Sequence, residues 1–527
     1  MNKDRIYLYD STLRDGAQAR GIDFTVADKQ AIARELDAFG IDYVEGGWPG
    51  ANPTDDAFFA AQPKLRHAVV TAFGMTRRAG RSAENDPGLA DVLGTNTKSV
   101  CLVGKCSATQ VEKTLKITRA ENLRMVAESI AHVVSQKREA LFDAEHFFDG
   151  YKTNPEYALE VVQAAYDAGA RWVVLCDTNG GSLPHEISQI VTEVTAYIPG
   201  THLGIHCHND TDNAVANSLA AVRAGVRQIQ GTINGIGERC GNANLISLIP
   251  TLMLKLGFNT GVSEKNLARI TQISRMIDDR LNRDGNPHAP YVGSAAFAHK
   301  GGLHVSAMAK DSSSYEHISP ALVGNERVIL VSDKAGKSNI VTRLNQMGIA
   351  IEADNPKLNE LVKEIKDREK QGYAYDDADA SFELLVRRRL GDVPDFFSVE
   401  SFRVMDERRR NAKGALVTIA EATVKLSIQK RDGMVMEVAE GNGPVNALDA
   451  ALRKALIPHY KKLQGMMLSD YKVRILTPQD ATAALTRVMI ESRDAKQVWT
   501  TIGVSHNVID ASFNALFDAI TYMLLKG

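Results

Sequence analysis

Eight short apolar runs, each followed by a stretch with helical periodicity, occupy the first half of this 527-residue chain. The runs are Ile6–Tyr9, Tyr43–Glu45, Val69–Phe73, Val100–Val103, Ala140–Asp143, Trp172–Cys176, Leu203–His208 and Gln228–Thr232. Helical patterns lie between and after them, among them Val26–Phe39, Glu156–Ala168, Pro184–Tyr197, Asp212–Ala224 and Leu245–Leu256. The first carries its own start and stop signals: Thr25 and Asp28 form a capping box, and Gly40 ends the helix. Strands that alternate with helices pair in parallel, because parallel neighbours need a long crossover. Eight such units predict a (β/α)8 TIM barrel, with a doubly wound open sheet as the alternative.

A barrel makes a demand on the sequence, since sites in this fold collect at the carboxyl ends of the strands. Polar residues stand there: Asp10 to Gly16 after strand one, Glu45 in strand two, Asp143-Ala144-Glu145-His146 at strand five and Asp177-Thr178-Asn179 at strand six. Asn234 to Asn242 follow strand eight, and strand seven carries His206 and His208. Residues i and i+2 of a strand point the same way, so the two imidazoles face one point while Cys207 faces the opposite side. With a carboxylate from Asp15 and an amide oxygen from Asn242 they form a mixed N/O set suited to Mn²⁺, Mg²⁺ or Zn²⁺. Such an ion can be chelated by the carboxylate and keto oxygens of a 2-oxo acid, which polarises the ketone. Arg14, beside Asp15, could stabilise the oxyanion formed when a carbon nucleophile attacks. Glu145 and one or more histidines are the candidates for moving protons.

Beyond about residue 260 the alternation stops, and the chain reads as a linker with small helical subdomains. Leu358–Lys370 is a charged helical pattern expected to solvate an exposed face. Gly336-Lys337-Ser338 lacks the preceding spacing of a phosphate loop, so no nucleotide site is predicted. After Asp392-Val393-Pro394-Asp395 the pattern turns to strands, including Val417–Ile428 and Met434–Val438 about the turn Arg431-Asp432-Gly433. Asn446–Leu452 is similar to Asn507–Phe513, each opening an amphipathic helix, which predicts an α/β domain with a pseudo-twofold repeat. The predicted organisation is a catalytic barrel over 1–270, mainly helical linker subdomains over 271–394 and a C-terminal domain over 395–527. A formal charge of -2 gives no field that would hold nucleic acid or an anionic membrane, and neither is expected as a partner. Five cysteines without a CxxC pair read as free thiols in a reducing compartment. No signal-peptide pattern opens the chain and no run approaches the roughly 18 apolar residues of a spanning helix, so a cytoplasmic location is predicted.

The runs DSTLRDGAQ (Asp10–Gln18), GIHCHND (Gly204–Asp210) and GIGERCGNAN (Gly235–Asn244) resemble the three motifs of one family of metal-dependent barrel acyltransferases. That family contains the 2-isopropylmalate, homocitrate and citramalate synthases, and the likeness continues through Phe297–Ile318 into the C-terminal region. Glu45–Asp55, Asp143–Gly150 and Cys176–Gly181 look like its citramalate synthase branch; leucine-pathway relatives have a DTVG-type run where this chain has Asp177-Thr178-Asn179-Gly180. The resemblance implies metal ligation by Asp15, His206, His208 and Asn242, Arg14 on the keto oxygen, Glu145 in catalysis and Thr178 on the 2-oxo-acid carboxylate. It implies His304 as base toward the acetyl methyl group with Tyr315 beside it, and these linker residues completing the site across a homodimer interface. The implied reaction is a Claisen-type condensation of acetyl-CoA with pyruvate and thioester hydrolysis, giving citramalate and CoA on a route to isoleucine. The C-terminal domain is implied to be regulatory, with isoleucine as feedback effector. His304-Val305-Ser306-Ala307 departs from the HQDG of leucine-pathway relatives, so their acetyl-CoA contacts are not carried over. The alternatives are synthases acting on other 2-oxo acids and, more remotely, a hydroxymethylglutaryl-CoA-type lyase using Cys240.

Overall fold

The computed structural model describes residues 4–301, 304, 307–308, 311–329, 337–349, 351, 355–410, 412–429 and 431–526. Val305, Ser306 and Gly336 lie outside them. The described chain forms two compact units, one reaching Phe297 and including Ile318–Glu326, the other made of Ala298–His317 and the chain from Arg327 onward.

In the first unit eight parallel strands close in sequence order: β1 (Tyr7–Asp10), β2 (Tyr43–Gly47), β3 (Val69–Met75), β4 (Ser99–Lys105), β5 (Glu139–Glu145), β6 (Trp172–Asp177), β7 (Leu203–Cys207) and β8 (Gln228–Gly231). β8 pairs back onto β1, so the barrel is formed and the open sheet is not. Outward side chains such as Val44, Leu102 and Phe142 are buried with the surrounding helices, while Tyr9, Tyr43, Phe73, Leu141 and Trp172 fill the lumen. Burial on both faces explains why these strands read as nearly continuous apolar runs. β5 runs two residues beyond its apolar pattern, so Asp143 and Glu145 both belong to it on one face. The helix Val26–Phe39 has the predicted box between Thr25 and Asp28 and ends at Gly40, whose φ of +114° is left-handed. The helix expected from Asp212 begins instead at Ala214, because Asp212 takes φ +58° in the turn before it.

The second unit opens with a parallel pair, β9 (Ala298–His299) and β10 (Val328–Ile329), so the linker is not wholly helical. Strands of two residues are too short to leave a periodic signal. Helices Lys337–Gln346, Pro356–Lys370 and Asp379–Leu390 follow. The second of these does more than solvate a face: Leu358, Leu361 and Ile365 are spaced to form an apolar stripe and are buried. Two antiparallel sheets come next, β11 (Phe397–Arg410), β12 (Leu416–Ile428) and β13 (Met434–Gly441), then β14 (Met467–Ile475), β15 (Thr486–Arg493) and β16 (Val498–Ser505). Each is followed by one helix, Pro444–Leu456 and Val508–Lys526, giving the repeated halves. Contrary to the sequence reading, Val508–Lys526 is long and apolar enough to cross a membrane by length and composition alone. Half of its apolar window is buried, and the helix packs against β15 and β16 as a core element.

Candidate active site

Asp15, from the turn after β1, meets His206 and His208 at the end of β7, all three buried. Asp15 Oδ2 is 3.9 Å from His206 Nε2 and 4.0 Å from His208 Nε2, and the two imidazole nitrogens are 3.4 Å apart. His208 lies one residue past β7, held by a bridge to Asn242, and still shares the face of His206. Cys207 faces the helix layer, where its thiol bonds Ser218. Asn242 Nδ2 donates to Asp15 Oδ1 at 2.9 Å and to the Ile236 carbonyl at 3.2 Å. Both partners accept, so the amide orientation is fixed, and Asn242 Oδ1 is left buried without a partner, as is His208 Nδ1. A Cβ on Gly237 would lie 2.1 Å from Asn242 Nδ2, which is why the turn carries glycine there. A buried acceptor without a donor is costly, and this set of two imidazoles, a carboxylate and the free carbonyl oxygen of Asn242 fits a divalent cation.

A second ring of side chains holds the first. Arg14 Nη1 lies 3.0 Å from Asp15 Oδ2, its Nε 2.8 Å from Glu45 Oε2, and its guanidinium rests 3.9 Å over the Phe73 ring. Glu45 is fully buried and also accepts from Ser11 and, at 2.7 Å, from the Tyr9 hydroxyl. Burial pushes the Asp15 carboxyl up, but Arg14 and the two histidines outweigh it and hold the group well below the usual carboxylate range. His206 Nδ1 faces Gln230 Oε1 at 3.0 Å, and Gln230 Nε2 donates to Asp143 Oδ1 at 3.0 Å. The amide is thereby oriented, so Nδ1 donates and Nε2 is the ring nitrogen left facing Asp15. Burial and the neighbouring His206 push the His208 imidazole down to about 4, so it is neutral at pH 7.

Glu145 ends β5 beside Lys105, which ends β4; the two are register partners, with Lys105 Nζ 2.6 Å from Glu145 Oε2. Thr178 Oγ1 accepts from the His146 N–H at 2.8 Å, and the Thr178 carbonyl accepts from Arg239, which also grips both carboxylate oxygens of Asp210. In the second unit the rings of His304 and Tyr315 stack with centroids 4.1 Å apart. The adjoining Glu316 is buried and takes two nitrogens of Arg327, at 2.6 and 2.5 Å.

Three family models match in succession: HMGL-like over residues 5–277, homocitrate synthase post-HMGL domain-like over 291–372, and LeuA allosteric (dimerisation) domain over 377–524. The (R)-citramalate synthase of Aquifex aeolicus (strain VF5) is 49% identical over 526 residues, covering 99% of this chain and 98% of the relative. The chain belongs to the citramalate synthase family. The citramalate synthase of Synechocystis sp. is 48% identical, with 99% of this chain and 96% of that protein covered. The 2-isopropylmalate synthase of Methanocaldococcus jannaschii is more distant, 30% identical over 99% of this chain and 95% of its own. Like the citramalate synthase family as a whole, the chain is an acyltransferase-type enzyme.

In this member of the citramalate synthase family the sequence pattern brings out Asp15, His206 and His208 with Arg14 and Asn242, but it passes over part of the ring that holds them. Gln230 and Tyr9 enter it only as residues of strands, and Glu45 and Asp143 only as rim polar groups. A signal existed: Gln230 sits at an inward position of β8, flanked by Ile229 on the apolar outer face.

Proposed function

We propose that the chain carries out the citramalate synthase reaction, a Claisen-type condensation of acetyl-CoA with pyruvate followed by hydrolysis of the thioester. The reading rests on the near full-length identity of 49% to a citramalate synthase, and the buried focus of Asp15, His206 and His208 supports it. Asp15, His206, His208 and the free oxygen of Asn242 are the groups that would hold Mn²⁺, Mg²⁺ or Zn²⁺. When bound, such an ion supplies Lewis acidity to a chelated 2-oxo acid.

The chain's own side chains do the rest. Arg14 is desolvated, but Glu45 and Asp15 outweigh that and keep it protonated, which suits it to meet the negative charge that grows on the keto oxygen. Thr178 Oγ1 is already an acceptor for the His146 N–H, so its hydroxyl proton is free to be donated to the 2-oxo-acid carboxylate. Glu145 takes part in proton movement, with Lys105 beside it. His304, stacked on Tyr315, takes the proton from the acetyl methyl group, and the linker reaches the barrel mouth across a homodimer. The new carbon–carbon bond forms at the keto carbon, the alkoxide is protonated, and water then cleaves the thioester to release CoA. Isoleucine is the feedback effector in this reading, bound by the C-terminal region, and the match there to the LeuA allosteric (dimerisation) domain supports it. The described cysteines are all free thiols, in keeping with a cytoplasmic enzyme.

Thiol release from acetyl-CoA, assayed in parallel with pyruvate, 2-oxoisovalerate and 2-oxoglutarate, tests the reading. Pyruvate is expected to give the highest kcat/KM, and preference for either longer acid overturns it.

A further inference from the structure

Two cavities in the barrel unit meet at one side chain. The first, about 440 Å³, lies at the ends of β2 to β5 and is bounded by Trp48, Met75, Thr76, Lys105 and Glu145. The second, about 370 Å³, lies between the segments that follow β1 and β2 and is bounded by Arg14, Gln18, Phe24, Lys29 and Asp55. Among the described residues Trp48 and Ala51 alone line both, and of these the indole is the one large enough to act as a partition.

The partition is fixed from two sides. The Trp48 main-chain N–H donates to Asp55 Oδ2 at 2.8 Å, and the same carboxylate takes Asn52 Nδ2 at 3.0 Å and the ammonium of Lys29. Lys29 Nζ also reaches the Gly46 carbonyl at 3.1 Å. Lys29 is 3% exposed and Asp55 6%, so this is a buried pair that ties both ends of the turn. A Cβ on Gly47 would sit 2.4 Å from the Asp55 carboxylate carbon, and at φ +145° the position is strained for other residues, so the chain closes round Asp55 only with glycine. On the other side the indole meets the Phe73 ring edge-on at 5.4 Å, and the face of Phe73 carries the Arg14 guanidinium at 3.9 Å. The indole therefore stands one ring away from the residue assigned to the keto oxygen.

We propose that Trp48 sets the upper size of the 2-oxo acid. The inference rests on the pyruvate reading above and names what rejects its longer homologues. A methyl substituent on the keto carbon fits beside Arg14, on the side of the second cavity; an ethyl or isopropyl group meets the indole, which closes off the first cavity. A hydrophobic pocket discriminates one methylene by about 10- to 200-fold, which sets the size of effect to seek.

The experiment is a comparison of kcat/KM for pyruvate, 2-oxobutyrate and 2-oxoisovalerate in the full-length wild type, Trp48→Leu and Trp48→Phe, with acetyl-CoA saturating. Trp48→Leu should raise the 2-oxobutyrate-to-pyruvate ratio by about tenfold or more, through a lower KM for the longer acid. Trp48→Phe should fall between it and wild type, and because it keeps an aromatic edge toward Phe73 it decides the matter should the leucine variant not fold. An unchanged ratio with activity reduced alike for every acid overturns the proposal, as does a raised KM for acetyl-CoA with the ratio unchanged. Wild type that prefers a longer acid would instead overturn the reaction reading, and is seen without any variant.

Discussion

His206 and His208 share a face but are held differently. His206 is locked through Gln230 to Asp143, whereas His208 Nδ1 is buried and unpaired. His206→Ala should therefore lose bound Mn²⁺ or Zn²⁺ and thiol release together; metal content by elemental analysis checks this, and full turnover without metal would remove the ion from the chemistry. Gln230→Met keeps the volume but not the hydrogen bonds, and should weaken the metal affinity of the stripped protein by about 10- to 100-fold. His208 gives a pH signature. In the folded, metal-free protein its ring protonates only near 4, against 6.5 ordinarily, so between these values the unfolded chain binds the extra proton. The stability linked to the neutral ring is present above about 6.5 and lost as the pH falls toward 4. The gap in unfolding free energy between wild type and His208→Asn should shrink by up to about 3 kcal/mol from pH 7 to pH 4; a gap that stays constant in denaturant titrations contradicts this. The histidine pair was legible because strand parity is a two-residue rule. Gln230 was not, because a neutral amide belongs to no motif and its place opposite His206 depends on the register between β7 and β8.

At the level of elements, the eight barrel strands were legible for a reason that fails elsewhere. Each is buried on both faces and bounded by turn residues, whereas β11 reads FSVESFRVMDERRR and is largely exposed beyond Phe397, leaving little apolar alternation. Its pairing with β12, from Phe397 opposite Ile428 to Arg410 opposite Leu416, is a tertiary outcome. The turn after β2 is the opposite case, since its distinctive residues were visible but its anchor was not. Lys29 sits near the start of an amphipathic helix, where a lysine reads as solvated, yet it is buried on Asp55. Lys29→Met leaves that carboxylate buried without its cation and should cost about 3–5 kcal/mol. Adding Asp55→Asn should recover part of the loss. Equilibrium denaturation of the single and double variants measures both steps, and a single variant as stable as wild type would show that the pair does not hold the turn.

At the scale of the molecule, the second unit joins what the sequence divides. Helix Asp379–Leu390 lies before the strand-rich region, yet Ser381 Oγ bonds Asp518 Oδ2 at 2.7 Å and Arg388 Nη1 reaches Asp518 Oδ1 at 2.8 Å. Phe382, Leu385 and Val386 share a core with Ile502 of β16. The segment that carries His304 and Tyr315 belongs to this same compact unit. An effector bound by the repeated halves would thus sit in the compact unit that carries those two residues, and it need act only by favouring one arrangement of them. Isoleucine at a hundredfold excess over its Kd should stabilise the full chain by about 2.7 kcal/mol while inhibiting thiol release. Scanning calorimetry with isoleucine, leucine and valine reads the first effect and the enzyme assay the second. A chain ending at residue 394 leaves Phe382 and Leu385 without their partner Ile502, so it should lose the isoleucine shift and also melt lower without any effector. If leucine or valine raised the midpoint as much as isoleucine, or if the shortened chain kept the isoleucine shift, the effector would have to be placed elsewhere in the fold.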